Sequence, residues 1–556
     1  MDEAAGASLR ILPEGTVSAV AKGTSLRRAL LSAGVPVRGN CGGHGTCGQC
    51  RVRVDGQWVL ACDYAVEHSV TVFVPVSSRV PLSNRVPVSR HVTPGRSQVS
   101  GARPGSRVRS PMPETSQAGP ETDVALAVDI GTTTLSLSLV RAGPVDDSCQ
   151  PGNRRALATR SVFNPQVAFG DDVITRINYA QQNPTGLAEM RHAVVEEINH
   201  LTISLLDGLP NGRIVRAVVS GNTTMLRILL GLDLEPVRHD SLGDWATRAH
   251  SSSAAALGLD LGGDLPALVF PVVAGWVGGD VVAGILSSGM SEHPEVRLLV
   301  DLGTNGEMVL GCRDWLVAFS CSAGPAFEGG GITWGMPAGP GAIDAVSVDP
   351  QTMTVQCSVI GQRDPEGICG SGLISALRSM LAAGIIDRSG RFRGAGRAAG
   401  GPEAPGRLRL ATSNWGEEIT IWDRDVLTAM RAKAAVYAGM KTLEEELGTR
   451  LDSLAEVLVA GGFGSSIDIE SAVAIGLLPD LPRSRFRVIG NSSLQGAAAC
   501  ARSPGTLSQA EEIARRVTYL DLVGHPRFLD QFVKAMFLPH TDLKEFPSQR
   551  DRYPGR

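Results

Sequence analysis

The sequence predicts a multidomain chain of mixed α+β and α/β class: a small β-grasp domain, a flexible linker and a large duplicated α/β unit. Three observations predict it. Residues 8–40 alternate like a hairpin followed by a short helix and then enter a glycine-rich cysteine loop. Residues 77–123 lose apolar periodicity and fill with Pro, Ser, Gly and Arg. The pattern strand, Asp-x-Gly-Thr turn, strand occurs at Asp129 and again about 172 residues later at Asp301, as an internal duplication would produce.

The chain has 556 residues, a length that suits about two to four domains and a large core. Its formal charge of −4 gives no electrostatic case for nucleic acid or a membrane surface. Of ten cysteines, four fall between positions 41 and 62, a distribution that suits a reducing compartment with one metal site. The start, Met1-Asp-Glu-Ala-Ala-Gly, lacks a basic then apolar leader. No uncharged apolar run reaches about 18 residues, so no transmembrane helix is expected and the chain is placed in the cytoplasm.

In the first domain, residues 1–76, Pro13-Glu-Gly15 supplies the hairpin turn, a helix is expected near Ser25–Ala33, and Val70-Thr-Val-Phe-Val-Pro75 closes the domain as a strand. Between them stand Cys41, Cys47 and Cys50, spaced x5 and x2 among glycines, with Cys62 shortly after. Four thiolates on such a loop can turn toward one iron–sulfur cluster, since glycine admits positive φ and close backbone approach. A structural zinc site more often shows two C-x2-C pairs, and only Cys47 and Cys50 have that spacing. Disulfides suit an oxidising compartment, for which the chain gives no sign. Gly43-His-Gly45-Thr-Cys-Gly48 matches G-x-G-x-x-G, but a strand pattern, Cys50-Arg-Val-Arg-Val54, follows it where the dinucleotide fingerprint requires a helix.

The linker, residues 77–123, behaves on composition as a coil with a mean span of roughly 35–40 Å. It can let an electron carrier move between sites or act as a passive spacer. The remaining chain divides into lobe I (124–290), lobe II (291–540) and a tail (541–556).

Ala125 to Val140 reads as two apolar strands joined by Asp129, Gly131, Thr132, Thr133 and Thr134, a turn whose amides and hydroxyls suit phosphate, with an aspartate for a metal. Asp171-Asp-Val-Ile-Thr-Arg-Ile starts a helix, and a longer one follows on the stripe Met190, Val194, Ile198, Leu201 and Leu205; both read as scaffold. The strand Ile214–Ser220 runs into Gly221-Asn-Thr-Thr-Met225, where a loop meets a helix N-terminus. Trp276-Val-Gly-Gly-Asp280 opens a helix with a small face. The second hairpin carries Asp301, Gly303, Thr304, Asn305 and Glu307. Two glycine loops, Cys321–Gly330 and Gly367–Gly372, suit close ligand approach. Val426, Met430, Ala434, Tyr437, Met440, Leu443 and Leu447 mark a long amphipathic helix stopped by Gly448. Val457-Leu-Val-Ala breaks into Gly461, Gly462 and Gly464, where a flat adenine or ribose can sit. Gly490–Ala499 ends in a second small-faced helix, and Ser508 with Glu511 predicts a capping box for the next.

The cysteine spacing resembles the 2Fe-2S ferredoxins in their C-x5-C-x2-C variant, over about residues 8–76, with a Cys50–Cys62 gap shorter than in many such domains. The later motifs, in chain order, resemble the actin, sugar kinase and seventy-kilodalton heat-shock ATPase superfamily, a two-lobed, duplicated ribonuclease H-like fold. That resemblance implies Mg-ATP between the lobes. Asp129 and Thr132–Thr134 would form phosphate 1, with Asp280 in connect 1. Asp301–Glu307 would form phosphate 2, Gly461–Gly464 the adenosine turn, and Gly490–Gly496 connect 2. Asp129 and Asp301 would hold Mg2+, and Asp280 would position the attacking water. No Gly-Lys dipeptide occurs, which excludes a Walker A loop.

The combination, with Asn164-Pro-Gln166, Gly221–Met225, Asp301–Glu307, Gly367–Gly372 and Gly490-Asn-Ser-Ser-Leu-Gln495, resembles the reductive activators of corrinoid proteins over essentially the whole chain. Asp423 departs from the glutamine of that family's pattern. The resemblance implies ATP-dependent reduction of Co(II) corrinoid to Co(I), a corrinoid protein of a methyltransferase system as partner, an electron donor to the cluster, and room for a homodimer. Two other classes remain: a redox-regulated small-molecule kinase with Asp280 as base, and a non-catalytic ferredoxin-type electron carrier.

Overall fold

The computed structural model describes residues 7–12, 15–35, 37, 50–75, 78, 122–143, 156–209, 211–393, 406–413, 416–461, 467–521 and 525–552. Pro13 and Glu14 of the first turn, Cys41, Cys47, Gly462, Gly464 and all of the expected linker except Ser78, Thr122 and Asp123 lie outside the described residues.

The N-terminal unit is a five-stranded sheet in the order Thr16–Val20, Ala7–Leu12, Val70–Phe73, Arg51–Val54, Gln57–Leu60. Ala7–Leu12 pairs parallel with Val70–Phe73, and the other neighbours pair antiparallel. Alternation in Ala7–Leu12 sends Leu9 and Ile11 inward, where they meet Leu26, Ala29 and Leu30 of the helix Leu26–Ser32. Each large side chain buried there contributes about 1.5–3 kcal/mol relative to exposure. Ser25 caps that helix by accepting from the Arg28 amide at 3.4 Å.

Two six-stranded sheets follow, and each is built around an Asp-bearing hairpin. In the first, the order is Ala158–Phe163, Thr134–Arg141, Thr122–Ile130, Gly212–Gly221, Pro266–Val269, His250–Ser253. In the second it is Phe486–Gly490, Glu456–Ala460, Arg297–Leu302, Gly306–Gly311, Leu316–Cys321, Val517–Tyr519. In both, the Asp strand pairs antiparallel with its hairpin mate and parallel with the strand on its other side. That parallel strand ends in a glycine of positive φ. Gly221 (φ 151°) and Gly461 (φ 117°) press against Ile130 and Leu302, the residues after each aspartate, so closely that a Cβ would stand 2.4 and 2.6 Å from their carbonyl oxygens.

The Asp strands are apolar throughout because both their faces are buried. Along Thr122–Ile130, Val124, Leu126, Val128 and Ile130 point into the outer core of lobe I, whereas Ala125 and Ala127 point inward. That inner core lies between the sheets and also takes Leu299 and Leu458 with the helices Gly279–Ser288 and Ser492–Arg502. The small faces expected of these two helices do bring them together, with Ser287 Oγ donating to the Ser492 carbonyl at 2.8 Å. The long helix Asp423–Leu447 ends at Gly448 (φ 63°), and its apolar stripe packs in the lobe II core.

One local expectation fails. The helix after position 503 is Thr506–Arg516, so Ser508 lies inside it and bonds back to the Gly505 carbonyl, while Glu511 accepts from the Ala249 amide of lobe I at 2.9 Å. A tertiary contact takes the side chain that a capping box would have used.

Candidate active site between the two hairpins

The turn Gly131–Thr133 is held from behind through its carbonyls. Asn164 Nδ2 donates to the Gly131 oxygen at 2.8 Å, Arg176 Nη2 to the Thr132 oxygen at 2.5 Å, and the Asn164 amide to the Thr133 oxygen at 2.8 Å. With its acceptors satisfied by the protein, the turn can offer its donors to an anion. Arg176 is fully buried, and its Nε also donates to the Gly170 carbonyl at 2.8 Å. Burial lowers its pKa to about 10, against the raising effect of Asp171, Asp172 and Glu328, so it remains a cation at neutral pH. The helix bearing it, Val173–Gln182, starts in a box formed by Asp172 and Thr175. This helix therefore does more than scaffold the lobe.

Thr133 of the first turn and Thr304 of the second meet across the cleft with their hydroxyl oxygens 2.5 Å apart. Thr304 also donates to Glu328, and Thr133 lies near enough to favour the ionised form of that carboxyl. Asn491 Nδ2 and Ser493 Oγ, at the start of the helix Ser492–Arg502, each donate to Asp129 at 2.7 Å, one to each carboxylate oxygen. Asp129 thus ties the start of that helix to the first hairpin.

The remaining acids crowd the same space. Asp280 stands in the first turn of Gly279–Ser288, its Oδ1 accepting from the Val281 amide at 2.8 Å. Glu307 faces Asp301 across the second hairpin and takes a bond from the Asn305 side chain. Burial, then Asp129, pushes Asp280 up to about 7. Burial, then Asp280, Asp129 and Glu328, pushes Asp301 up to about 8. Burial with Asp280 and Asp301 raises Glu307 well above the carboxylate range. Burial also raises Asp129, against the hydrogen bonds from Ser493 and Asn491.

An all-oxygen, acidic set of this kind suits a hard cation arriving with phosphates. Among the described residues no three His, Cys, Asp or Glu side chains form a closed metal cage. Mg2+ needs none, because it keeps waters and uses one or two carboxylates beside nucleotide phosphates. Asp301 is the candidate nearest in role, and Asp129, with both oxygens already accepting, suits contact through water.

Of the four cysteines, the described pair is adjacent: Cys50 Sγ lies 3.3 Å from Cys62 Sγ. That exceeds the disulfide length of about 2.05 Å and lets both thiolates reach one iron, so this pair fits a cluster. The iron–sulfur domain also touches lobe I. Arg27 donates to the Ala168 carbonyl, on the short helix Pro165–Ala168 that directly follows Asn164. A cavity of about 380 Å³ beside this contact is lined by Cys62, Arg28, Phe169, Tyr179 and Glu189, among others.

Fold and site together define a two-lobed actin-like ATPase joined to a 2Fe-2S domain. Three family models match in order: the 2Fe-2S iron–sulfur cluster binding domain over residues 10–71, the RACo middle region over 124–293, and the RACo C-terminal ASKHA domain over 295–550. The corrinoid activation enzyme RamQ of Eubacterium limosum is 31% identical over 423 residues, covering 73% of this chain and 69% of that protein. The [Co(II) methylated amine-specific corrinoid protein] reductase of Methanosarcina barkeri is 31% identical over 274 residues, 45% of this chain and 47% of its own. A solved reductive activator for corrinoid, iron–sulfur protein superposes with a TM-score of 0.71 at 32% identity, covering 98% of this chain and 100% of that one. The chain belongs to the family of reductive activators of corrinoid proteins.

Two outcomes check the site. Cys62→Ser should lower the iron content and alter the visible spectrum of the reconstituted chain; an unchanged spectrum with full iron would move the fourth ligand elsewhere. The second concerns Asp301. A carboxyl raised to about 8 keeps its proton in the folded chain where the unfolded chain has lost it. Its contribution to stability is therefore complete below pH about 4 and lost as pH rises through about 8. Without metal or nucleotide, wild type should lose melting temperature relative to Asp301→Asn as pH rises over that interval, and calorimetry should show at least about tenfold weaker Mg-ATP binding by the variant. Parallel melting curves with equal ATP affinity would remove the assignment.

Proposed function

We propose that this chain reduces the Co(II) form of a corrinoid protein to Co(I), one electron at a time, with each transfer coupled to ATP binding and hydrolysis between its lobes. The observation that carries the coupling is the seat of the iron–sulfur domain. Arg27 grips the Ala168 carbonyl, and the same turn begins at Asn164, which holds the Gly131 and Thr133 carbonyls of the first phosphate turn. A change in that turn on nucleotide binding is thus passed to the seat through one rigid segment.

Cys41, Cys47, Cys50 and Cys62 would hold the cluster, which when bound supplies single electrons at low potential, near −400 mV for plant-type centres. Each 59 mV uphill costs about tenfold in a one-electron equilibrium, so a lower-potential cobalt acceptor calls for an energy input. The residues supply it in three places. The turn around Thr132 and Thr133 and its counterpart around Thr304 would bind the phosphates, Asp301 and Asp129 would hold Mg2+, and Asp280 would stand beside them in the cleft. The turn at Gly461 takes the nucleoside. Binding that favours one arrangement of the lobes shifts the complex with the corrinoid partner by its differential affinity, no more.

Cobalt is substrate here, and the electron is restored by a separate donor in a reducing, cytoplasmic setting. The described part contains no helix long and apolar enough to cross a membrane.

The test is an anaerobic mixture of the reduced chain, a corrinoid protein in the Co(II) state and Mg-ATP. Co(I) should appear optically with nucleotide and fail to accumulate without it. Equal Co(I) with and without ATP would make the chain a plain electron carrier. A phosphorylated small molecule formed in the absence of any corrinoid protein would make it a kinase.

A further inference from the structure

Hydrolysis needs a group to orient the attacking water and receive its proton, and the structure separates two kinds of acid in the cleft. Asp129, Asp280, Asp301 and Glu307 form the face that calls for a cation: beyond burial, Asp129 raises Asp280, Asp280 and Asp129 with Glu328 raise Asp301, and Asp280 with Asp301 raises Glu307. Glu328 is placed differently. It ends the short helix Pro325–Glu328, set between Gly324 (φ 78°) and Gly329 (φ 85°), so the backbone turns sharply on either side and fixes the carboxyl over the second hairpin. Its Oε2 accepts from Thr304, which in turn meets Thr133, and both hydroxyls favour the ionised carboxylate. These two threonines belong one to each phosphate turn and already touch each other.

Glu328 therefore stands at the contact between the two phosphate turns. Burial raises Glu328 above the usual carboxylate range, and the threonine hydroxyls together with Arg176, buried behind the first turn, oppose that rise and favour the ionised form. Asp280 has another acid, Asp129, as its charged neighbour, and its Oδ1 is also engaged by the Val281 amide of its own helix.

We propose that Glu328, rather than Asp280, positions the water that attacks the terminal phosphate and takes its proton. The water oxygen forms the new bond to the terminal phosphorus, the bond from that phosphorus to the ADP oxygen breaks, and the water proton passes to the Glu328 carboxylate before release to solvent. ATP and water become ADP, inorganic phosphate and a proton, with no external reactant. Before nucleotide enters, the threonine hydroxyls occupy the carboxylate; phosphates binding both turns would draw those hydroxyls away and free it.

The assignment rests on ATP hydrolysis by this chain, so wild type is measured first. Without hydrolysis in wild type, the reading of the function falls and this inference with it. With it, Glu328→Gln in the full reconstituted chain should lower kcat by about 10²-fold or more, the scale of general acid–base catalysis, and leave the calorimetric ATP affinity within about threefold. Glu328→Asp should recover part of kcat. Asp280→Asn, which keeps the cleft's shape, should lose less in kcat than Glu328→Gln. Equal kcat in wild type and Glu328→Gln overturns the inference, as does a parallel loss of kcat and ATP affinity in both Glu328 variants, which would mark a structural role.

Discussion

Four carboxyl groups held in one cleft by two facing hairpins are the constraint on which the rest of the structure depends. Asp129, Asp280 and the hairpin pair Asp301 and Glu307 come from three separate stretches of chain; burial raises all four, and repulsion between neighbouring acids adds to the rise of Asp280, Asp301 and Glu307. The fold tolerates this through rigid surroundings. The strands carrying Asp129 and Asp301 are buried on both faces, and Gly221 and Gly461 close on the residues beside them. A site that holds protons in place of a cation is matched to a ligand that brings one.

The second dependence is backbone polarity. A turn can present amides to phosphate only when its carbonyls are satisfied elsewhere. Asn164 and Arg176 do this for the first hairpin from within lobe I. Since the iron–sulfur domain is seated on the turn after Asn164, it shares a wall with the first hairpin turn, the candidate phosphate site. Asp129, gripped by Asn491 and Ser493, gives lobe II the same access to that hairpin. Linkage between two ligands requires a shared element with two arrangements, and the segment 164–168 is the candidate.

Much of this was legible in the sequence because its causes are local. Cysteine spacing marked the cluster loop, the repeated Asp-x-Gly-Thr turn marked the duplicated hairpins, and small residues marked the two helices that pack between the sheets. Arg176 was not legible: it sits in an ordinary helix start, and its partner Thr132 is 44 residues away. Glu328 was passed over within a glycine loop, since its partners Thr133 and Thr304 meet only after the lobes assemble. Glu511 misled for the opposite reason, a local capping pattern overridden by the Ala249 amide. Contacts between distant segments carry no periodicity, and the parts of this site that do the coupling are of that kind.

The central claim, that nucleotide in the cleft gates electron flow, is tested most directly by rapid freeze-quench electron paramagnetic resonance on the reduced chain mixed with its Co(II) partner. With Mg-ATP the reduced-cluster and Co(II) signals should decay together, one spin for one, and with Mg-ADP both should persist. Decay at the same rate under both nucleotides would contradict the account.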